Sequence, residues 1–449
     1  MSVKDRSLFS LAWPLVITMA FGISQPMLDS WFLARVSDQA AAAVGSLGAL
    51  FMTLIMILQA LSQAGASIAS QYLGGGKRSH ARATQILVIA GSGTLGALLG
   101  AILWLSSGLL IRLLGLTGQT AVYALQFLQI LAIGLVFKAL QVTLTNLVAS
   151  HGRTVWNLSA NALSLAINAV LNYAFLEGIF GLPRLGVQGV AYATVISWVG
   201  VDLLLWLVLK HNSGSHKTFT NLKRGVSLIL PDWMRIGLPS AVEPVSFSLY
   251  QIAISAVVIR LGETSMAAKV YGGNFAMLAI VFSVGIGIGS QILVAHLVGA
   301  QDYGKANQRL IQSLFWACGF AFSVALLVAF FATQLLSIYT ENTAVIALAA
   351  ACLWVDAILQ PAKAANIVLT NALRAAGDSK FPAIVGTSMM WTIGIGGVFA
   401  FVYGFQMGLL GAWIAMAVDE WTRSFVNYRR WTSGAWHGKG VMREKITPA

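Results

Sequence analysis

Apolar stretches of about 20 residues or more follow one another along the whole chain, separated by short polar breaks, and no other feature limits its folding so tightly. Within the roughly 30 Å hydrocarbon layer of a bilayer, backbone N–H and C=O groups must find partners inside the chain. A helix of about 20 residues does this over that thickness. The breaks delimit twelve spans, near 8–34, 44–72, 83–106, 122–148, 155–180, 186–209, 233–260, 270–298, 308–332, 344–372, 381–404 and 408–431. The alternation expected of a transmembrane barrel is absent. Of 449 residues only 10% are charged, against about 25% in soluble domains. An all-α integral membrane protein of twelve transmembrane helices, with the lipid bilayer as its solvent, is therefore expected.

Placing the N-terminus in the cytoplasm puts 21 cations inside: Lys4, Arg6, Lys77, Arg78, Arg82, Arg153, Lys210, Lys217, Lys223, Arg224, Arg235, Lys305, Arg309, Arg374, Lys380, Arg423, Arg429, Arg430, Lys439, Arg443 and Lys445. Outside stand Arg35, Arg112, Arg184, Arg260 and Lys269, and Lys138 and Lys363 lie within spans, which completes the 28 basic residues (21 + 5 + 2). Short loops rich in Lys and Arg stay inside, so both termini are expected in the cytoplasm, in a bacterial inner membrane. The net charge of +13 thus reads as an insertion signal and not as a nucleic-acid footprint. The segment after Lys4 and Arg6 continues into a full span, unlike a cleaved leader. Cys318 and Cys352 sit in apolar segments, which indicates neither a disulfide framework nor a metal site. No cofactor is expected.

The chain repeats itself. Lys138-Ala-Leu-Gln-Val-Thr-Leu-Thr-Asn146 matches Lys363-Ala-Ala-Asn-Ile-Val-Leu-Thr-Asn371 at an offset of 225 (363 − 138), and Pro14 maps to Pro239 at the same offset. Leu73 and Gly75 map to Leu297 and Gly299, and Gly186, Gly189 and Ala193 to Gly408, Gly411 and Ala415. Six spans per repeat make the repeats parallel, a transporter pattern in which substrate sits between halves near the midplane. The expected organisation is an N-lobe over 1–210, a cytoplasmic linker over 211–232, a C-lobe over 233–431 and a cytoplasmic tail over 432–449.

A series of motifs in fixed order then carries a resemblance. Trp13-Pro14-Leu15 opens the first span, followed by Met27-Leu28-Asp29-Ser30, Ala41-Ala42-Ala43-Val44-Gly45 and Gln71-Tyr72-Leu73-Gly74-Gly75-Gly76. Leu185-Gly186-Val187-Gln188-Gly189-Val190-Ala191, Gly237-Leu238-Pro239, Gln360-Pro361 and Asn371-Ala372-Leu373-Arg374-Ala375-Ala376-Gly377-Asp378 complete it. Together these resemble the multidrug and toxic compound extrusion (MATE) family over nearly the whole chain, closer to its DinF-like than its NorM-like branch. The resemblance implies a pair of six-helix lobes and export of drugs or metabolites against an inward flow of protons or sodium. It also implies a monomer handling a small-molecule substrate.

Ionisable residues inside spans cost about 2.5–3.5 kcal/mol on insertion scales, so each is a functional candidate. Asp29 lies one turn beyond Gln25 on the same face of the first span. It matches the family's first-helix aspartate, which the resemblance makes a proton or cation acceptor. Asn168 and Asn172 project from one face of the fifth span; in some relatives the second is an aspartate that completes a cation site with a sixth-span threonine, here Thr194. An asparagine there removes a charge and weakens the case for tight sodium binding. Glu243 shares a face with Ser246 and Tyr250, lining a C-lobe cavity or standing partly solvated near the helix end.

Lys138 and Lys363 head matching polar stripes, Gln141 with Thr145 and Asn366 with Thr370. They either contact acidic or zwitterionic cargo or neutralise carboxylates, Asp356 for Lys363 and Asp29 or Asp202 for Lys138. Asp419 and Arg423, four apart, form a structural pair. The halves are chemically unequal: Asp29 corresponds to Ile254, and Glu243 to Thr18. A secondary active exporter is the expected function, with proton coupling ahead of sodium. A flippase for lipid-linked oligosaccharides is the alternative, and an enzyme is not expected, because no metal-ligand spacing or phosphate-cradling loop occurs.

Overall fold

Long apolar runs that are free to bond only to themselves become helices, and the computed structural model, which describes residues 3–179, 181–213 and 222–442, is helical almost throughout. The first half holds α1 (Leu8–Val36), α2 (Asp38–Gly74), α3 (Arg78–Leu113), α4 (Gly118–Ser150), α5 (Thr154–Glu177) and α6 (Val187–Ser213). The second holds α7 (Leu222–Ile259), α8 (Glu263–Gly299), α9 (Tyr303–Phe330), the short α10 (Ala332–Leu336), α11 (Thr343–Ala375), α12 (Lys380–Met389), α13 (Gly396–Phe399) and α14 (Gly408–Thr432). Helix starts follow local chemistry: the Asp302 carboxylate accepts from Lys305 N to open α9, and Asn342 Oδ1 accepts from Ala344 N and Val345 N to open α11. The eleventh span is one run, Lys380–Gly404, but π turns at Met390–Ile395 and Ala400–Gly404 flank α13.

Among the described residues, eleven helical segments are long and apolar enough to cross a bilayer. The twelfth, α14, has the length but carries Asp419, Glu420, Arg423, Arg429 and Arg430. Large apolar side chains such as Leu105, Phe315 and Ile358 point outward, as lipid-facing residues do. The connection between halves is shorter than its polar composition suggests. Val226, Leu228, Ile229 and Leu230 extend the apolar run, so α7 begins at Leu222. Residues 214–221 with Lys217, the side chains of Lys223 and Arg224, and Arg443 and Lys445 lie outside what is described.

Two compact units emerge. One comprises Ile17–Ala69 and Lys77–Trp233; the other comprises Met1–Val16, Ser70–Gly76 and Met234–Ala449. In the first, α4 packs on α3 and α6, and α5 on α6; in the second, α11 packs on α9 and α14. The third, fourth and sixth spans of each half therefore pair in the same way, and the duplicated sequence yields duplicated packing. The first unit's main core gathers Phe32, Leu47, Phe127, Leu128 and Trp198. The second unit's gathers Tyr250, Ile254, Leu336, Leu353 and Trp413, so the apolar counterpart of Asp29 is a core residue.

The end of α2 belongs to the second unit and crosses the end of α8 closely. A Cβ at Gly74 would strike the His296 carbonyl, and one at Gly299 the Gln71 carbonyl. Gly74→Ala and Gly299→Ala are each expected to cost about 1–3 kcal/mol through overpacking. Gly45→Ala, with nothing within 4 Å, should cost nothing comparable; thermal denaturation of the purified variants checks the contrast.

Beyond α14, residues 433–442 fold back as a strap. Trp436 stacks on Trp431 at 4.1 Å between ring centroids and donates to its carbonyl. Lys439 Nζ meets Asp378 Oδ1 at 2.7 Å while Arg430 Nε holds Oδ2 at 2.9 Å. Val441 N donates to Gln71 Oε1 at 2.7 Å, and Gln71 Nε2 donates to the Ala375 carbonyl.

Candidate functional site

In the first unit the face of α1 that carries Gln25 and Asp29 meets α5 and α6. Asp29 Oδ1 accepts from Asn172 Nδ2 at 2.9 Å and Oδ2 from Thr194 Oγ1 at 3.1 Å. Asn172 Nδ2 also reaches Asn168 Oδ1 at 3.1 Å, and Asn168 Nδ2 donates to Thr194 Oγ1 at 3.3 Å. Asp29 is 7% exposed, Thr194 5%, and both asparagines are fully buried. Hydrogen bonds thus join Asp29, Asn168, Asn172 and Thr194 in one buried cluster. Gln25 joins it through Ser197, whose hydroxyl accepts from Gln25 Nε2 at 3.3 Å and donates to the Thr194 carbonyl at 2.7 Å. Ser197, and Ser164 whose hydroxyl donates to Ser197 Oγ at 3.4 Å, are the members that sequence reasoning missed. Each continues a face already identified, Ser164 four residues before Asn168 and Ser197 three after Thr194.

This cluster can hold a carboxyl group in either protonation state. The Thr194 hydroxyl has one proton and two acceptors, Asp29 Oδ2 and the Val190 carbonyl at 2.9 Å. Donated to Asp29, it steadies a carboxylate; donated to Val190, it leaves an oxygen lone pair for a proton carried by Asp29. Exchange between the states needs only rotation of one hydroxyl. Asn172 Oδ1 is buried without a donor, which leaves one further oxygen available to a proton or small cation.

Further along α4 and α6, Lys138 Nζ donates to Gln141 Oε1 at 2.7 Å and lies 5.2 Å from the centroid of the Trp198 ring. Its electrostatic partner is Asp202. Of the two carboxylates considered for Lys138, Asp29 is committed elsewhere.

The second unit has its own buried polar network. Asp356 takes both oxygens to Gln360 Nε2, at 3.2 and 3.0 Å, with Trp413 as a further donor and Lys363 within electrostatic range. Asn366 donates to Glu420 Oε2 at 3.0 Å and accepts from Asn427 Nδ2 at 3.0 Å. Glu243, partly exposed, is ion-paired with Arg374 of α11. Arg423 was counted above among the inner-side cations; instead it is buried at the centre of α14, bonded through Nη2 to Asp419 Oδ2 at 2.7 Å and Glu420 Oε1 at 2.8 Å. The Asp419–Arg423 pair thus has a third member. Tyr250 lies in the field of this triad, its hydroxyl buried without a hydrogen-bond partner. No cluster of His, Cys, Asp and Glu that could hold a metal occurs among the described residues.

Twelve long helices in two sequence-related halves that keep ionisable side chains in their interiors are the build of a membrane transporter, not of an enzyme. The MatE family model matches residues 14–174 and 239–402, and the chain belongs to that family of multidrug transporters. It is 31% identical over 443 residues to "Uncharacterized transporter YisQ" of Bacillus subtilis (strain 168), covering 98% of this chain and 96% of that one. "Probable multidrug resistance protein NorM" of Thermotoga maritima is 27% identical over 457 residues, covering 98% and 95%. Among solved structures, an outward-facing multidrug resistance MATE family transporter of the MOP superfamily superposes with a TM-score of 0.86 at 20% identity, over 96% of this chain and 97% of that one. A MOP superfamily transporter from Pyrococcus furiosus gives 0.86 at 21% identity, over 96% of each chain.

Proposed function

We propose that the chain is a secondary active exporter that moves drugs or small organic metabolites outward in exchange for protons by alternating access, with Asp29 carrying the proton. The single observation behind this reading is the pair of hydrogen-bonding states open to Asp29 through Thr194. A ligand shifts a conformational equilibrium only through differential affinity, and a carboxyl that keeps its partners whether charged or neutral can be loaded in one conformer and emptied in another. Sodium is the alternative coupling ion: the oxygens of Asp29, Asn168, Asn172 and Thr194 suit a hard cation, and Asn172 Oδ1 has room in its hydrogen bonding for one. Only one of the four carries charge, which favours the proton. The proposed setting is a bacterial inner membrane, with a monomer holding both termini in the cytoplasm.

Inside-out vesicles separate the two ions. An imposed pH gradient is expected to drive cargo movement with sodium absent; movement driven by sodium alone would overturn proton coupling. Cargo charge is a second question. The Pyrococcus furiosus relative is described by a binding pocket of reverse polarity that suggests a different function, and Lys138 and Lys363 point this chain toward acidic or zwitterionic cargo. Lys138→Ala/Lys363→Ala is expected to weaken binding of anionic metabolites to the purified protein while leaving binding of cationic dyes unaffected. If wild type moves only cations and the double variant matches it, the acidic-cargo reading is wrong.

A further inference from the structure

Helices α4 and α6 each bring one opposite charge to a shared interface. Lys138 is the only charged residue of α4, and Asp202 the only acidic residue of α6. They are electrostatic partners, yet no hydrogen bond joins them: Lys138 spends itself on Gln141 and the Trp198 face, while both Asp202 oxygens are buried without a donor. Asp202 is 9% exposed. Of the other helices that meet α6, α5 carries no charged residue before Glu177 and α1 brings Asp29, held by Thr194 and Asn172; Lys210 of α6 is engaged over Trp206. A fully charged carboxylate with no donor in a membrane interior is costly. The structure therefore shows a carboxyl whose charge must be met by something other than the contacts it has.

Lys138 has two places to go. Its ammonium, on a flexible four-carbon stem, rests on Gln141 and Trp198, and Asp202 lies within its electrostatic range. We propose that Asp202 is a second exchangeable proton site of the transporter, with Lys138 as its built-in competitor. On loading, the Asp202 carboxylate takes one proton from water and Lys138 moves to Gln141. On release the ammonium, keeping its three protons, docks on the carboxylate, and the carboxyl proton returns to water. Thr194, Trp198 and Asp202, four residues apart, share one face of α6, so this site lies about 12 Å along the helix from the one at Asp29. One transport cycle then exchanges two protons. The role in transport rests on the proton-coupled reading above; the chemistry of the site does not.

Dicyclohexylcarbodiimide, which adds to protonated carboxyl groups in apolar surroundings, tests this on the purified full chain. Mass spectrometry of the Asp202 peptide reads the adduct, and infrared difference spectra of wild type against Asp202→Asn read the carbonyl band of a protonated carboxyl. The expected result is an Asp202 adduct that declines as pH rises, persists in Asp29→Asn and increases about tenfold at a given pH in Lys138→Gln, where the competing cation is gone. An Asp202 carboxyl absent from both measurements at every pH, or labelling equal in Lys138→Gln and wild type, would overturn the proposal. Labelling at Asp202 with none at Asp29 would sink the Asp29 assignment and leave this site standing.

Discussion

Asp29→Asn is expected to abolish cargo accumulation driven by a pH gradient while the protein remains folded. The amide is nearly the same shape as the carboxyl, keeps an acceptor for Asn172 Nδ2 and retains a partner for Thr194, so the site stays closed between α1, α5 and α6. What it loses is the ability to give up a proton. A one-unit pH gradient supplies about 1.4 kcal/mol per exchanged proton, enough for about a tenfold cargo gradient. Wild-type vesicles should therefore approach about a tenfold gradient with one proton exchanged per cycle and about a hundredfold with two, and Asp29→Asn vesicles, whose cycle lacks its first proton carrier, should show no gradient. Cargo binding, read as protection against thermal unfolding, should survive the substitution. Full retained coupling in Asp29→Asn would remove this carboxyl from the mechanism.

Arg423→Met is expected to be the most destabilising single change in the second unit. One guanidinium serves two carboxylates, Asp419 and Glu420, with the side chains of Arg423 and Asp419 4% and 1% exposed. Removing one partner of a buried ion pair leaves an uncompensated charge and costs about 3–5 kcal/mol; here two carboxylates are left facing each other. The network beyond loses its order as well, because Glu420 holds Asn366, and Asn366 holds Asn427. The measurement is the yield of monodisperse protein and its thermal midpoint. Asp419→Asn/Glu420→Gln in the same chain should restore most of the loss, since the charge and not the packing is at fault. A variant as stable as wild type would mean that water already reaches the triad.

The sequence made the Asp29 site legible because each of its contributions is local. Asn168 and Asn172 share a face through helix period, Thr194 follows from the family motif, and the remaining step is that α1, α5 and α6 meet. The repeat showed the paired lysines for the same reason. Contacts that depend on how helices cross were not legible: Arg374 is 131 residues from Glu243, and nothing in either segment names the other. Arg423 misled in a different way. Its i,i+4 partner Asp419 is visible on paper, but Glu420 at i,i+3 falls within reach of the same guanidinium, and counting Arg423 with the loop cations ignored that two acids beside it would draw it inward. The start of α7 at Leu222 was not legible, because Lys223 and Arg224 mask the apolar run that follows them. The order of the tail was not legible either, since beyond the local Trp436–Trp431 contact its partners are distant: Lys439 bonds Asp378 and Val441 bonds Gln71, 61 and 370 residues away.

The strap also sets an order of assembly. Its last hydrogen bond, from Val441 to Gln71, joins residues 370 positions apart, and the unit to which it belongs includes Met1–Val16 and Ser70–Gly76. The unit of Ile17–Ala69 and Lys77–Trp233 has all its residues once position 233 has been made. The other must wait until position 442, which at about 5–20 residues per second is about 10–40 s later. Throughout that interval the beginning of α1 and the end of α2 are inserted without their final partners. Segments made before position 77 are thus finished only after position 442 has been made.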